Sequence, residues 1–236
     1  MSNKDKIKKQ IFNKIFKADD FIKKICYGNA GMLNMGNIWC FDYAISHIPS
    51  KAPIIEIGSF CGLSANVITY IKLKHKKNNP LICIDPWDFS EGNELQKLGE
   101  HPTLNNKDYG DFVKRSFQEN LLLFSSYDLP FAIQITSDNF FRKWNGKEKV
   151  NNMFQKTIQL GGDISFAYID GNHDYDYAYR DFQNVDRCLS IGGFILFDDS
   201  ADNSGWGVCE VVKELCRNDK YKLIKQNPNY FFKKIN

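Results

Sequence analysis

No apolar run in these 236 residues approaches the roughly 20 consecutive positions that a membrane-spanning helix needs. The opening stretch, Met1 to Lys9, is polar and lysine-rich and lacks the apolar segment and small-residue cleavage site of a secretory signal. A soluble protein with a cytoplasmic address is expected. No Cys-x-x-Cys pair occurs, and the seven cysteines are odd in number, several of them inside apolar runs. They read as reduced thiols acting as small hydrophobes. A dominant charge is also missing: 31 Lys and Arg stand against 28 Asp and Glu, a net +3, which is too small a surplus to argue for nucleic acid. Repeats and low-complexity segments are absent.

What is present is the material of a globular core, 43% hydrophobic and 14% aromatic. The length fits one large domain. Lys4 to Lys24 carries Ile7, Ile11, Phe12, Ile15, Phe16 and Ile22 at largely helical spacing between lysines. That predicts an amphipathic helix packed on its own domain, and also a candidate contact between subunits of a homo-oligomer. From Pro53 onward strand and helix alternate: a strand at Ile54 to Ile57, a helix at Gly62 to Lys74, a strand at Leu81 to Ile84, then a long irregular stretch. There follow a strand at Phe131 to Ile135, a helical segment near Val150 to Leu160, a strand from Ile164, a helix from Tyr175 to Leu189 and a strand from Gly193. The alternation predicts an α/β fold, a mostly parallel sheet with helices on both faces. After a helix at Gly207 to Arg217, Tyr221 to Lys225 and Tyr230 to Lys234 read as a terminal antiparallel hairpin. Residues 1–50 form an N-terminal helical segment and 51–236 the main domain, with a lid or specificity insertion at about 87–110, too long for an ordinary connection.

Two of the predicted strands end in acid. Ile164 to Ile169 runs into Asp170, Gly193 to Phe197 runs into Asp198 and Asp199, and His173 lies three residues past the first acid. Ligands gather outside the carboxyl ends of parallel strands, so acids at two such ends point to one site, suited to a hard divalent cation. Helix N-caps and turn acids account for such residues one at a time. Asp174, Asp176, Asp181 and Asp186 read as a solvated helix start and face.

The first strand ends Glu56-Ile57-Gly58-Ser59-Phe60-Cys61-Gly62-Leu63-Ser64 where a helix begins. Gly58 permits the sharp turn, Gly62 a close backbone approach, and the helix start with Ser64 offers donors to an anion. Phe60 at the middle glycine position of a dinucleotide fingerprint argues against a pyrophosphate. This segment resembles motif I of class I S-adenosylmethionine (SAM) methyltransferases of the metal-dependent O-methyltransferase type. Ile84-Asp85-Pro86-Trp87 resembles their second-strand motif. Tyr168 to Tyr175 and Gly192 to Asp199 resemble the D-G-x-H-x-Y and G-G-x-x-x-x-D-D pattern of a bacterial subgroup that includes macrolide and glycan sugar O-methyltransferases. The resemblance covers about residues 53–235.

That resemblance implies a Rossmann-like seven-stranded sheet and assigns roles. Glu56, Gly58 and Ser64 would surround the methionine part of SAM, with Ser59, Phe60 and Gly62 also cofactor-binding, Asp85 would accept from the ribose hydroxyls, and Ser137 falls where the family contacts adenine, though helix capping explains it equally well. Asp170, Asp198 and Asp199 would hold Mg2+ or Mn2+, with Asp199 open to a supporting role instead. Asp170 and His173 would be the catalytic pair. Catechol-type relatives carry a lysine where His173 stands, and an imidazole titrates close to neutrality, which suits it as general base. The acceptor is a small polar hydroxyl, a sugar among the classes. A catalytically inactive SAM-fold scaffold and an NAD-dependent oxidoreductase are the alternatives.

Overall fold

The computed structural model describes residues 19–90 and 95–236. Its strands in chain order are β1 (Ile54–Ile57), β2 (Leu81–Asp85), β3 (Phe131–Gln134), β4 (Lys149–Asn151), β5 (Thr157–Gln159), β6 (Ile164–Ile169), β7 (Leu189–Phe197), β8 (Tyr221–Gln226) and β9 (Tyr230–Lys234). Its helices are α1 (Asp20–Gly28), α2 (Met35–His47), α3 (Leu63–Lys74), α4 (Asn106–Phe124), α5 (Ser137–Asn145), α6 (Tyr175–Asp186) and α7 (Val208–Leu215). Seven strands form one sheet in the order β3-β2-β1-β6-β7-β9-β8. The first five are parallel and β9 runs antiparallel between β7 and β8. β1, β2 and β6 are buried at every position, as β-branched parallel strands covered on both faces must be.

Side-chain alternation divides the core into two layers. Ile54, Phe166, Tyr168, Phe194 and Leu196 face α1 to α4, while Ile55, Ile57, Ala167, Ile169, Ile195 and Phe197 face α5 to α7. Phe41 of α2 packs its ring 5.0 Å from Tyr168 and 6.2 Å from Phe166, tying α2 to the centre of the sheet. Strand order reverses between β1 and β6, which makes the crevice beyond their carboxyl ends the ligand position of such a sheet. Among the described residues no helix is long and apolar enough to cross a membrane. All seven cysteines are free thiols.

Several expected elements differ. The helix expected near Val150 to Leu160 is the β4–β5 hairpin: Val150 and Ile158 alternate with exposed neighbours, and Asn152 Oδ1 accepts from the backbone N–H of Phe154 and Lys156 to make the turn. The stretch expected to be irregular contains α4, whose buried face of Gly110, Val113, Phe117 and Leu121 follows helical spacing. α5 was not expected either; it buries Phe140, Phe141 and Trp144. Of the Lys4 to Lys24 helix, residues 4–18 lie outside the described residues. Asp19 is extended and caps α1 by accepting from Phe21 and Ile22, so a helix starts there rather than running through. Asp181 is not part of a solvated face but buried, and Asp186 is bound by Lys234 at 2.9 Å.

Candidate active site at the carboxyl edge of the sheet

β1 stops at Gly58, whose φ of +82° only glycine adopts freely, and a Cβ there would stand 1.9 Å from the carbonyl oxygen of Asp170. The turn after β1 and the turn after β6 therefore touch backbone to backbone. Past Gly58 the chain runs through Phe60 at φ +45° to Gly62 at φ +85°, and Gly62 opens α3 without a side-chain cap. The first N–H groups of α3 are left without that partner, the arrangement that receives a carboxylate or phosphate. Glu56 lies fully buried beneath this turn. Its Oε2 accepts from the Ser59 hydroxyl at 2.7 Å, and its Oε1 has no partner. Burial pushes its carboxyl up, against the hydroxyls of Ser64 and Ser59.

Asp85 closes β2 beside the same turn. Oδ2 accepts from the backbone N–H of Ser59 at 2.8 Å and of Phe60 at 3.0 Å, and Oδ1 from Trp87 at 2.6 Å. Burial raises its carboxyl despite these donors. A carboxylate accepts about four hydrogen bonds, so these three leave a single position for a further donor. Trp87, at φ +48°, is nearly buried and donates from Nε1 to the Phe60 carbonyl at 2.9 Å. Beyond it opens a cavity of about 500 Å³ lined by Pro86, Trp87, Phe89, Lys107, Gln134 and Thr136. Ser137 is not among its lining residues: its hydroxyl bonds Asp181, whose carboxyl burial raises to about 6.

The acids divide by strand parity. Asp170 and Asp198 follow Tyr168 and Leu196 onto the face of α1 to α4, where Asp198 is buried and Asp170 half-buried. Burial and then the Asp198 charge push the Asp170 carboxyl far above its ordinary range, and burial raises Asp198 as well, against its bond from Asn37. The Tyr168 hydroxyl donates to Asp170 Oδ2 at 3.0 Å. Asp199, at φ +49°, turns elsewhere and places Oδ2 3.5 Å from His173 Nε2. The His173 ring also lies 5.3 Å from the ring of Trp206. Among the described residues no group of three His, Cys, Asp or Glu side chains gathers in a metal-holding arrangement. Tyr168, Asn37 and Asn229 beside the acids, and Trp206 beside His173, are neighbours that the sequence reading missed. Only Tyr168, two residues before Asp170 on one strand face, carried a local signal.

Residues 55–200, more than half of the chain, match the model of a family described as a methyltransferase domain. No curated protein matches the chain. Among solved structures, the O-methyltransferase NovP aligns at a TM-score of 0.53 with 14% identity, over 87% of this chain and 82% of its own. CalS11, a TDP-rhamnose 3'-O-methyltransferase of calicheamicin biosynthesis, aligns at 0.55 with 13% identity, over 99% of this chain and 95% of its own. An O-methyltransferase from Bacillus cereus in complex with SAH aligns at 0.53 with 12% identity, over 92% of this chain and 91% of its own. At such identities the likeness is one of fold, and the family match carries the assignment. The chain belongs to this methyltransferase domain family and is a SAM-dependent methyltransferase.

Proposed function

We propose that this protein transfers the SAM methyl group to a hydroxyl oxygen of a small polar acceptor, with a sugar as the acceptor class. The observation that carries this reading is the contact between Gly58 and Asp170, which brings the glycine turn against the acid and imidazole edge. NovP and CalS11, the latter named for a sugar nucleotide, support O-methylation and the acceptor class.

In this reading the uncapped start of α3 and Ser64 receive the SAM carboxylate, and the unpartnered Glu56 oxygen is assigned to the same methionine end. Asp85 takes a ribose hydroxyl at its remaining acceptor position, and the cavity past Trp87 takes adenine, with Thr136 rather than Ser137 on its wall. The acceptor oxygen attacks the methyl carbon, the carbon–sulfur bond breaks, and S-adenosylhomocysteine leaves. His173 takes the hydroxyl proton, and Asp199 steadies the resulting imidazolium. The protein's contribution to rate is alignment and proton removal.

Asp170 and Asp198 fit a divalent cation in donor type and in charge. They are two carboxylates on one face, Asp198 buried and Asp170 half-buried, each raised in pKa, and no ion pair of the described residues involves either. Mg2+ or Mn2+ there would orient and acidify an acceptor hydroxyl. Asp199 is assigned to His173 and not to the ion. The segment expected to be a lid or specificity insertion lends Trp87, Phe89 and Lys107 to the cavity assigned here to adenine, so in this reading those residues border the cofactor. Incubating the protein with SAM, Mg2+ and a panel of TDP-sugars, catechols and simple polyols tests the reading. It expects S-adenosylhomocysteine to form in step with one methylated acceptor; SAM binding with no turnover on any hydroxyl would favour the inactive scaffold.

A further inference from the structure

Asp198 is held from two sides by amides. Nδ2 of Asn37, in the first turn of α2, donates to Asp198 Oδ1 at 2.7 Å and stands 3.3 Å from the Tyr168 hydroxyl. Nδ2 of Asn229, in the turn between β8 and β9, donates to the same Oδ1, and to Asn37 Oδ1 at 3.1 Å. Asn37, Asn229, Asp198 and Tyr168 are 0%, 1%, 4% and 0% exposed. Through Tyr168 the chain of bonds continues to Asp170.

The backbone is shaped around this contact. A Cβ on Gly36 would stand 1.6 Å from the carbonyl oxygen of Asn227, so α2 seats directly on the hairpin turn. Asn34 caps α2 by accepting from Gly36 at 2.9 Å. The turn is tied down from the other side, where Tyr230 donates its N–H to Ser200 Oγ and that hydroxyl donates to the Phe197 carbonyl, both at 2.8 Å. Four buried polar side chains cost desolvation that an apolar cluster of the same shape avoids. What such a network supplies is one fixed position for its members.

We propose that Asn37 and Asn229 are positioning residues, a clasp that fixes Asp198 for methyl transfer and reaches Asp170 through Tyr168. Both amides lie outside residues 55–200, so the segments before and after the matched family domain complete the site. The clasp rests on the reading of this edge as the transfer site. It also explains why α2 packs against the carboxyl end of β7 rather than serving only as a cover for the core.

The test compares wild-type protein with N37A, N229A and the double variant. N79A serves as the structural control, because Asn79 bonds the Ser50 and Ala52 carbonyls at 2.8 and 2.6 Å near the amino end of β1. Crystal structures are expected to show Asp198 in one position in wild type, both amides on Oδ1, and displaced in the double variant. Mn2+ binding in the presence of SAM, followed by electron paramagnetic resonance, is expected to weaken about 10- to 100-fold in the clasp variants. SAM affinity by calorimetry should stay within about twofold, and N37S, which keeps a donor, should recover part of the Mn2+ affinity. N79A should lower the melting temperature and leave Mn2+ binding unchanged. Should the double variant fail to fold, N229A and N37S carry the same comparison. An unmoved Asp198, or Mn2+ binding as tight as wild type, overturns the clasp. If wild-type protein binds no SAM, the methyl-transfer reading falls while the crystal comparison still decides the clasp; if it binds no Mn2+, that comparison decides it alone.

Discussion

Gly58 and Asp170 meet at the carboxyl ends of neighbouring parallel strands, with the Gly58 α-carbon turned so that any Cβ would fall 1.9 Å from the Asp170 carbonyl oxygen. The contact ties the glycine turn to the acid turn. G58A must both force a left-handed alanine and part the two backbones, which together cost about 3 kcal/mol. A melting curve is expected to show that loss, and calorimetry at reduced temperature a weakened affinity for SAM. A variant as stable as wild type would mean that the turns are not coupled.

His173 is expected to act on the reacting proton and not on cofactor binding. H173A should lower kcat by about 10²- to 10⁴-fold while leaving SAM affinity unchanged. D199N, which removes the charge 3.5 Å from the imidazole, should reduce kcat by a smaller factor. Steady-state kinetics with the acceptor found in the panel reads both, and equal kcat for H173A and wild type would remove His173 from the mechanism.

Asp198 lies where the two amides converge, and its charge acts on the Asp170 carboxyl. D198N keeps the shape of the side chain, removes its charge and leaves the amide donors facing an amide. Transfer is expected to fall by about 10²-fold or more with SAM affinity intact. Activity close to wild type would exclude a role for this acid in catalysis.

Asp181 gives a pH dependence of stability with a definite sign. Its carboxyl titrates at about 6 in the folded protein and at the ordinary aspartate value when unfolded. Between these values the folded state holds the proton and the unfolded state does not, so stability falls as pH rises from about 4 to 6 and is level above that. The shift corresponds to about 2–3 kcal/mol at most. D181N retains a side chain able to bond Ser137 and should flatten this slope and stabilise the protein at pH 7. Denaturant midpoints measured from pH 4 to 7 check it; identical slopes for the two proteins would contradict the assignment.

The strand-borne part of the site was legible because parallel strands are apolar throughout and end abruptly in acid. Asp170, Asp198 and the Gly58 turn could be placed from those boundaries alone. Alternation along β7 already separates Asp198 from Asp199, and applying it would have assigned Asp199 to a different neighbour than Asp198. α4 was hidden by Gly110, a helix-weakening residue accommodated where a Cβ would stand 3.0 Å from the Trp87 carbonyl. The β4–β5 hairpin was hidden by apolar residues too few to distinguish the two periods. Asn37 and Asn229 carried no signal, since their role arises from contacts 161 and 31 positions away in the chain.

Whether the glycine turn and Asp85 bind SAM is decided by calorimetric titration of the protein with SAM, with NAD as the comparison ligand. Saturable binding of one SAM per chain is expected, weakened by D85N about 10-fold or more, with no heat from NAD. Absence of SAM binding by the wild-type protein would contradict the assignment of that turn to SAM.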